Sequence, residues 1–191
     1  MALELVTGPT HEPVTLTEAK AQLRLDVADD DGLLAGYLLA AREFIEGQTK
    51  RDLVEKTWDY TADYGWPARN YRPYIRLPVN PVKSVTSVTY VDEAGTTQTL
   101  DPSQYIVAAR SDRSHIEPAV NSHWPTVKRI PDAITVRFVS GYENCPPDLK
   151  AAIMLLAGHF YENREAVSAK AMNEVPFSVD ALLSPYVDRS L

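Results

Sequence analysis

Hydrophobic residues along the chain first recur at helical spacing. Thr15-Leu16-Thr17-Glu18 has the S/T-x-x-E form of a capping box, and Leu16, Ala19 and Leu23 then share one face. This predicts a helix from Thr15 to about Leu25, with Glu18, Ala21 and Gln22 opposite and the stems of Lys20 and Arg24 flanking the apolar stripe. Asp29-Asp30-Asp31 predicts the start of a second helix, where acidic side chains accept first-turn N–H groups and favour the positive end of the dipole. Leu33, Leu34, Tyr37, Leu38, Ala41, Phe44 and Ile45 carry that helix to about Gln48.

After Arg51 the period shortens. Stretches 55–64, 74–77, 84–92, 96–100, 105–109, 114–117 and 133–139 read as short strands separated by turns rich in Pro and Asn. Asp92-Glu93-Ala94-Gly95 joins two of them as the clearest hairpin. Helical spacing returns at Pro146-Pro147-Asp148, where proline's missing N–H costs nothing. Ala152, Ile153, Leu155, Leu156, His159 and Phe160 then run to about Arg164. A polar loop over 165–175 and a short helix from Phe177 to Leu183 before Pro185 complete the chain. The fold class expected is α+β, with N- and C-terminal helices forming a small helical core around a β-rich insertion. In residue terms this is one domain over 1–191. Its helices occupy about 15–50 and 147–164, its insertion about 55–140 and a C-terminal docking segment about 174–191.

Composition narrows the function classes. The chain has 191 residues, 45% of them hydrophobic, enough for a core without staples. Nineteen basic against 26 acidic residues give a net charge of −7, which argues against a surface built to grip phosphate backbones. The single cysteine, Cys145, has no intramolecular partner, and the N-terminus lacks the basic and apolar regions of a signal peptide. The apolar runs from Leu33 to Ala41 and from Ala151 to Tyr161 fall short of the ~20 residues a membrane span needs. A soluble intracellular protein with no membrane association is expected.

No motif with catalytic spacing stands out. His159 and Glu162 share a helix face, with Glu165 beyond, but without H-x-x-x-H or C-x-x-C they make at most a partial metal site. His115 and His123 lie near Asp112, Arg113 and Glu117 with no specific triad order. Asp29–Asp31 lacks the alternating ligands of a calcium loop, and Cys145 has no cation within four positions to activate it. The glycines match neither dinucleotide nor P-loop spacing. Gly32-x-x-x-Gly36 would allow two helices to approach closely. Lys128-Arg129 and Arg69/Arg72, near Trp124, Trp66 and Tyr71, are small basic spots expected at the surface.

The order and wording of the segments resemble the bacteriophage head–tail connector family, the head-completion adaptors of tailed phages, prophages and gene-transfer particles. The likeness begins in Leu16-Thr17-Glu18-Ala19-Lys20-Ala21-Gln22-Leu23-Arg24 and the acidic run after it. It continues through Thr57-Trp58, Leu77-Pro78, Pro81-Val82, Ser84-Val85-Thr86-Ser87-Val88-Thr89-Tyr90 and Asp101-Pro102-Ser103-Gln104-Tyr105. Phe138, Gly141-Tyr142, Pro147, Leu149-Lys150-Ala151-Ala152-Ile153 and the run from His159 to Glu165 follow. Pro176-Phe177, Val179, Leu182-Leu183 and Pro185-Tyr186 close it.

The resemblance implies a non-catalytic structural subunit with no cofactor and no metal. Made in the host bacterial cytoplasm, it would reside in the virion at the head–tail interface. About a dozen copies would form a ring beneath the portal protein, with a tail-proximal stopper or completion protein on the far side. DNA would pass through the channel without specific binding. A closed ring needs two different complementary surfaces per subunit, and an acidic lumen lets DNA slide. The C-terminal residues Pro176, Phe177, Val179, Leu182, Leu183, Pro185 and Tyr186 are the candidate partner interface, and their deletion is expected to leave the fold intact. Two alternatives are a stopper or tail-completion protein of the same particle, and a small metal-dependent hydrolase using His159, Glu162 and His115 or His123.

Overall fold

The computed structural model describes residues 2–26, 28–62, 74–110, 113–163 and 176–187. The chain divides into two compact units, one of Thr10–Val54 with Tyr142–Leu191 and one of Met1–Pro9 with Glu55–Gly141. Among the described residues there are four α-helices and two antiparallel sheets, so the chain is α+β.

The first unit is helical: α1 (Leu16–Leu23), α2 (Asp31–Thr49), α3 (Pro147–Glu162) and α4 (Phe177–Leu183). The capping box of α1 forms in full. The Glu18 N–H donates to Thr15 Oγ1 at 3.2 Å, and the Thr15 N–H donates to Glu18 Oε2 at 2.7 Å. These bonds from Thr15, backbone first and hydroxyl second, hold the Glu18 carboxyl below its ordinary value. A depressed carboxylate contributes stability above its unfolded pKa and loses it as pH falls through the folded one. Thr15→Ala should therefore cost about 1 kcal/mol near neutrality. Thermal melts of both proteins in acid should show the gap narrowing.

Two helix ends differ from expectation. Helix α1 stops at Leu23 because Arg24 turns left-handed (φ 56°), its N–H donating back to the Ala21 carbonyl at 3.4 Å. Asp30 stands at the N-cap of α2 but caps nothing with its side chain. Its carboxylate accepts instead from the Tyr161 hydroxyl at 2.6 Å, while Asp31 pairs with Lys20 at 2.7 Å. Tertiary partners have taken the acids assigned to capping.

The helical core joins Ala19 of α1, Leu34, Leu38, Ala41 and Ile45 of α2, Leu149, Ala152, Ile153, Leu156 and Ala157 of α3, and Val179 and Leu183 of α4. The close approach in this unit lies at Gly158 rather than at the Gly32/Gly36 pair. A Cβ on Gly158 would come within 3.1 Å of Leu23 Cδ2, whereas one on Gly32 or Gly36 would meet nothing within 4 Å.

The second unit holds β1 (Ala2–Thr7), β2 (Lys56–Ala62), β3 (Ile75–Arg76), β4 (Val82–Val91), β5 (Thr97–Thr99), β6 (Tyr105–Ala108), β7 (His115–Pro118) and β8 (Ile134–Ser140). One sheet runs β1-β2-β8-β4-β5 and the other β3-β7-β6. Central β8 alternates as a sheet strand should. Ile134, Val136, Phe138 and Ser140 are buried, while Arg137 on the other face clasps the carboxylate of Asp59 on β2 at 2.8 and 2.6 Å. The expected hairpin is β4–β5. Asp92 accepts from the Thr96 N–H at 2.8 Å and from Gln98 at 2.9 Å, and Gly95 supplies φ +88°. Strand β1 has no counterpart in the sequence reading. All six residues are exposed and it pairs only along β2, so no alternation of buried and wet positions marks it.

Candidate functional site

Of the residues weighed as chemistry, His159 and His115 are held in structural contacts. Asn163 Nδ2 donates to the His159 carbonyl at 2.8 Å and lies 3.2 Å from His159 Nδ1, which ties the end of α3 together. Glu162 is exposed. Among the described residues no three His, Cys, Asp or Glu side chains come together as a metal site. His115 packs against Tyr74 at 5.1 Å, its Nδ1 3.1 Å from the Arg113 carbonyl, and His123 is exposed. Burial pushes the Cys145 thiol up to about 11, so it is protonated at neutral pH and a poor nucleophile. Trp124 packs on the β core, while Lys128 and Arg129 are exposed. Trp66, Arg69, Tyr71, Arg72, Asp112, Arg164, Glu165 and the loop 165–175 lie outside the described residues. Among the described residues no helix is long and apolar enough to cross a membrane.

The C-terminal residues separate into two groups. Val179 (0% exposed) and Leu183 (3%) are inserted in the helical core, and Leu182 and Tyr186 pack partly against it. Phe177 is 87% exposed, with Pro185 also exposed and Pro176 half-buried as the N-cap of α4. Arg51, not among the residues singled out from the sequence, holds this segment down. Its Nε donates to the Tyr186 carbonyl at 3.0 Å, its Nη1 donates to the Tyr142 hydroxyl at 3.2 Å, and its guanidinium lies 5.7 Å from the Tyr186 ring centre. Burial pushes the Tyr186 hydroxyl pKa up, and Asp148 adds to it. The segment is thus integral to the helical unit, against the expectation that it could be deleted with the fold intact, because Val179 and Leu183, one helical turn apart, complete the core.

Two further apolar surfaces lie open. Helix α2 exposes Leu33 (40%) and Leu39 (41%), and β1 exposes Leu3, Leu5 and Val6 along a sheet edge. Such surfaces have no catalytic use and are suited to contact with other protein.

Residues 13–99 match the family described as phage gp6-like head-tail connector protein. No curated protein matches the chain. Among solved structures, the chain is similar to one from the neck of an empty gene transfer agent particle computed with C6 symmetry. There the TM-score is 0.79 at 26% identity, covering 100% of this chain and 98% of that one. A chain from the virion of the native gene transfer agent particle gives 0.78 at 27%, and one from the native neck computed with C12 symmetry gives 0.74 at 27%, each with the same coverage. Over residues 13–99 the chain matches the phage gp6-like head-tail connector family, and along its whole length its fold is similar to that of chains from gene transfer agent necks.

Proposed function

We propose that the chain is a non-catalytic connector subunit that assembles as a ring of about a dozen copies beneath the portal, extends the DNA channel and joins capsid to tail. The observation that carries this reading is the end-to-end likeness to a chain from a neck computed with C12 symmetry. The whole chain works as one connector domain, made in the host cytoplasm and resident at the head–tail interface of the virion. The net charge of −7 suits a conduit that lets DNA slide.

The C-terminal segment is the docking point for the portal, and Phe177 is its anchor. At 87% exposure the ring gains nothing from its own subunit, while a buried aromatic at an interface is the usual hot spot. Phe177→Ser should leave the thermal midpoint within error and weaken portal docking by about 2 kcal/mol, more than tenfold. Binding of purified protein to portal, read by pull-down and negative-stain microscopy, tests both statements. Rings seated on portal are expected. Binding to tail components and not to portal would make the chain a stopper instead. Binding to neither would remove the connector function.

A further inference from the structure

We infer that the outer face of α2 is the surface on which a neighbouring copy of this chain packs, an inference that rests on the connector reading and extends it to a named interface. From Gly32 to Ala41 the helix runs ten residues without a charged side chain. Leu34, Leu38 and Ala41 account for the inner half of that run, buried in the subunit's own core. The outer half, Gly32, Leu33, Ala35, Gly36, Leu39 and Ala40, is exposed. The outer face of a surface helix is ordinarily charged or polar, and a helix apolar all round is one that is covered on both sides.

The glycines sharpen the case. Gly32, Gly36 and Gly47 recur on this same exposed face, and a Cβ at any of the three would meet nothing within 4 Å. Within the subunit nothing demands glycine there, and each weakens the helix relative to alanine. Gly158 behaves differently, since its smallness is used by Leu23 of the same unit. The use for small residues on α2 therefore lies in another molecule that approaches its backbone closely, with Leu33 and Leu39 supplying the apolar contact.

Charge identifies that molecule as a second copy. A subunit of net charge −7 repels its copies wherever acids face one another, and the stretch of α2 between Asp31 and Glu43 offers a patch where two copies can meet without like-charge contact. DNA would call for basic groups, and a basic partner for acidic ones, but between Asp31 and Glu43 this face carries no charged residue. The similar chains from necks computed with C6 and C12 symmetry supply the setting, because cyclic assembly joins two different faces of each copy.

The test uses the full-length protein and follows ring formation by mass photometry and electron microscopy over a concentration series, alone and with portal. Gly36→Lys and Leu39→Glu should keep the thermal midpoint of the subunit, since Gly36 faces open space and Leu39 is 41% exposed, and should raise the concentration for half-assembly at least tenfold. Glu93→Lys, an equal or larger charge change at an exposed turn of the β unit, should assemble as the parent does. If Gly36→Lys lowers the midpoint, Leu39→Glu decides the outcome alone. Rings formed equally well by the variants would overturn the α2 interface while leaving the connector reading intact. A parent protein that forms no ring, alone or on portal, would overturn both.

Discussion

Arg42→Ala should destabilise the helical unit by about 3–5 kcal/mol, the range for removing one partner of a buried ion pair. Arg42 is only 3% exposed on α2. Its Nε donates to Glu12 at 2.7 Å and its Nη1 to Glu46 at 2.8 Å, and the other oxygen of Glu46 accepts from the Leu53 N–H at 3.0 Å. Burial works against the guanidinium's charge, but the bond to Glu12 and the charges of Glu46 and Glu12 outweigh it and hold the group cationic. The network ties the segment before α1 and the segment after α2 to the middle of α2. Removing the arginine takes a charged partner at 2.8 Å from the Glu46 carboxylate, which is 9% exposed, and another from Glu12. Equilibrium denaturation checks the figure. A loss below about 1 kcal/mol would mean that water replaces the guanidinium and that the pair resembles a surface salt bridge.

Leu183→Ala should cost about 2–5 kcal/mol, the span for truncating a buried leucine in a core that relaxes only in part. Leu183 closes the last turn of α4 at 3% exposure beside Val179 at 0%, and both pack with α2 and α3 residues in one cluster. Deletion of 176–191 removes both anchors and the carbonyl that Arg51 holds, so the truncated protein should fold poorly. Denaturation of Leu183→Ala beside Phe177→Ser separates the two sides of α4: the buried side should carry the stability and the exposed side the docking. Equal small losses for both would show that α4 is dispensable to the core.

The elements most legible along the chain are those whose signals are local. The Thr15/Glu18 box, the apolar stripe of α2, the Asp92–Gly95 turn and the bounds of α4 each depend on residues within a few positions of one another, and each stands where its pattern places it. The resemblance to the connector family was likewise legible, and a match to that family is found over residues 13–99. What escaped the sequence depends on partners distant in the chain. Strand β1 exists through pairing with β2, some fifty residues on, and its own side chains are all wet. Arg51 gains its role from Tyr142 and Tyr186, and Asp30 loses its capping role to Tyr161.

The same division runs through the candidate site. The sequence by itself determined that the C-terminal segment and α2 are apolar and that the chain is acidic. Only the tertiary structure decided which apolar residues are already used: Val179 and Leu183 inside, Phe177 outside, Gly158 against Leu23, Gly32 and Gly36 against open space. Hydrophobicity is a property of a side chain, whereas burial is a property of what packs over it, and the packing partners here lie more than a hundred residues apart in the chain.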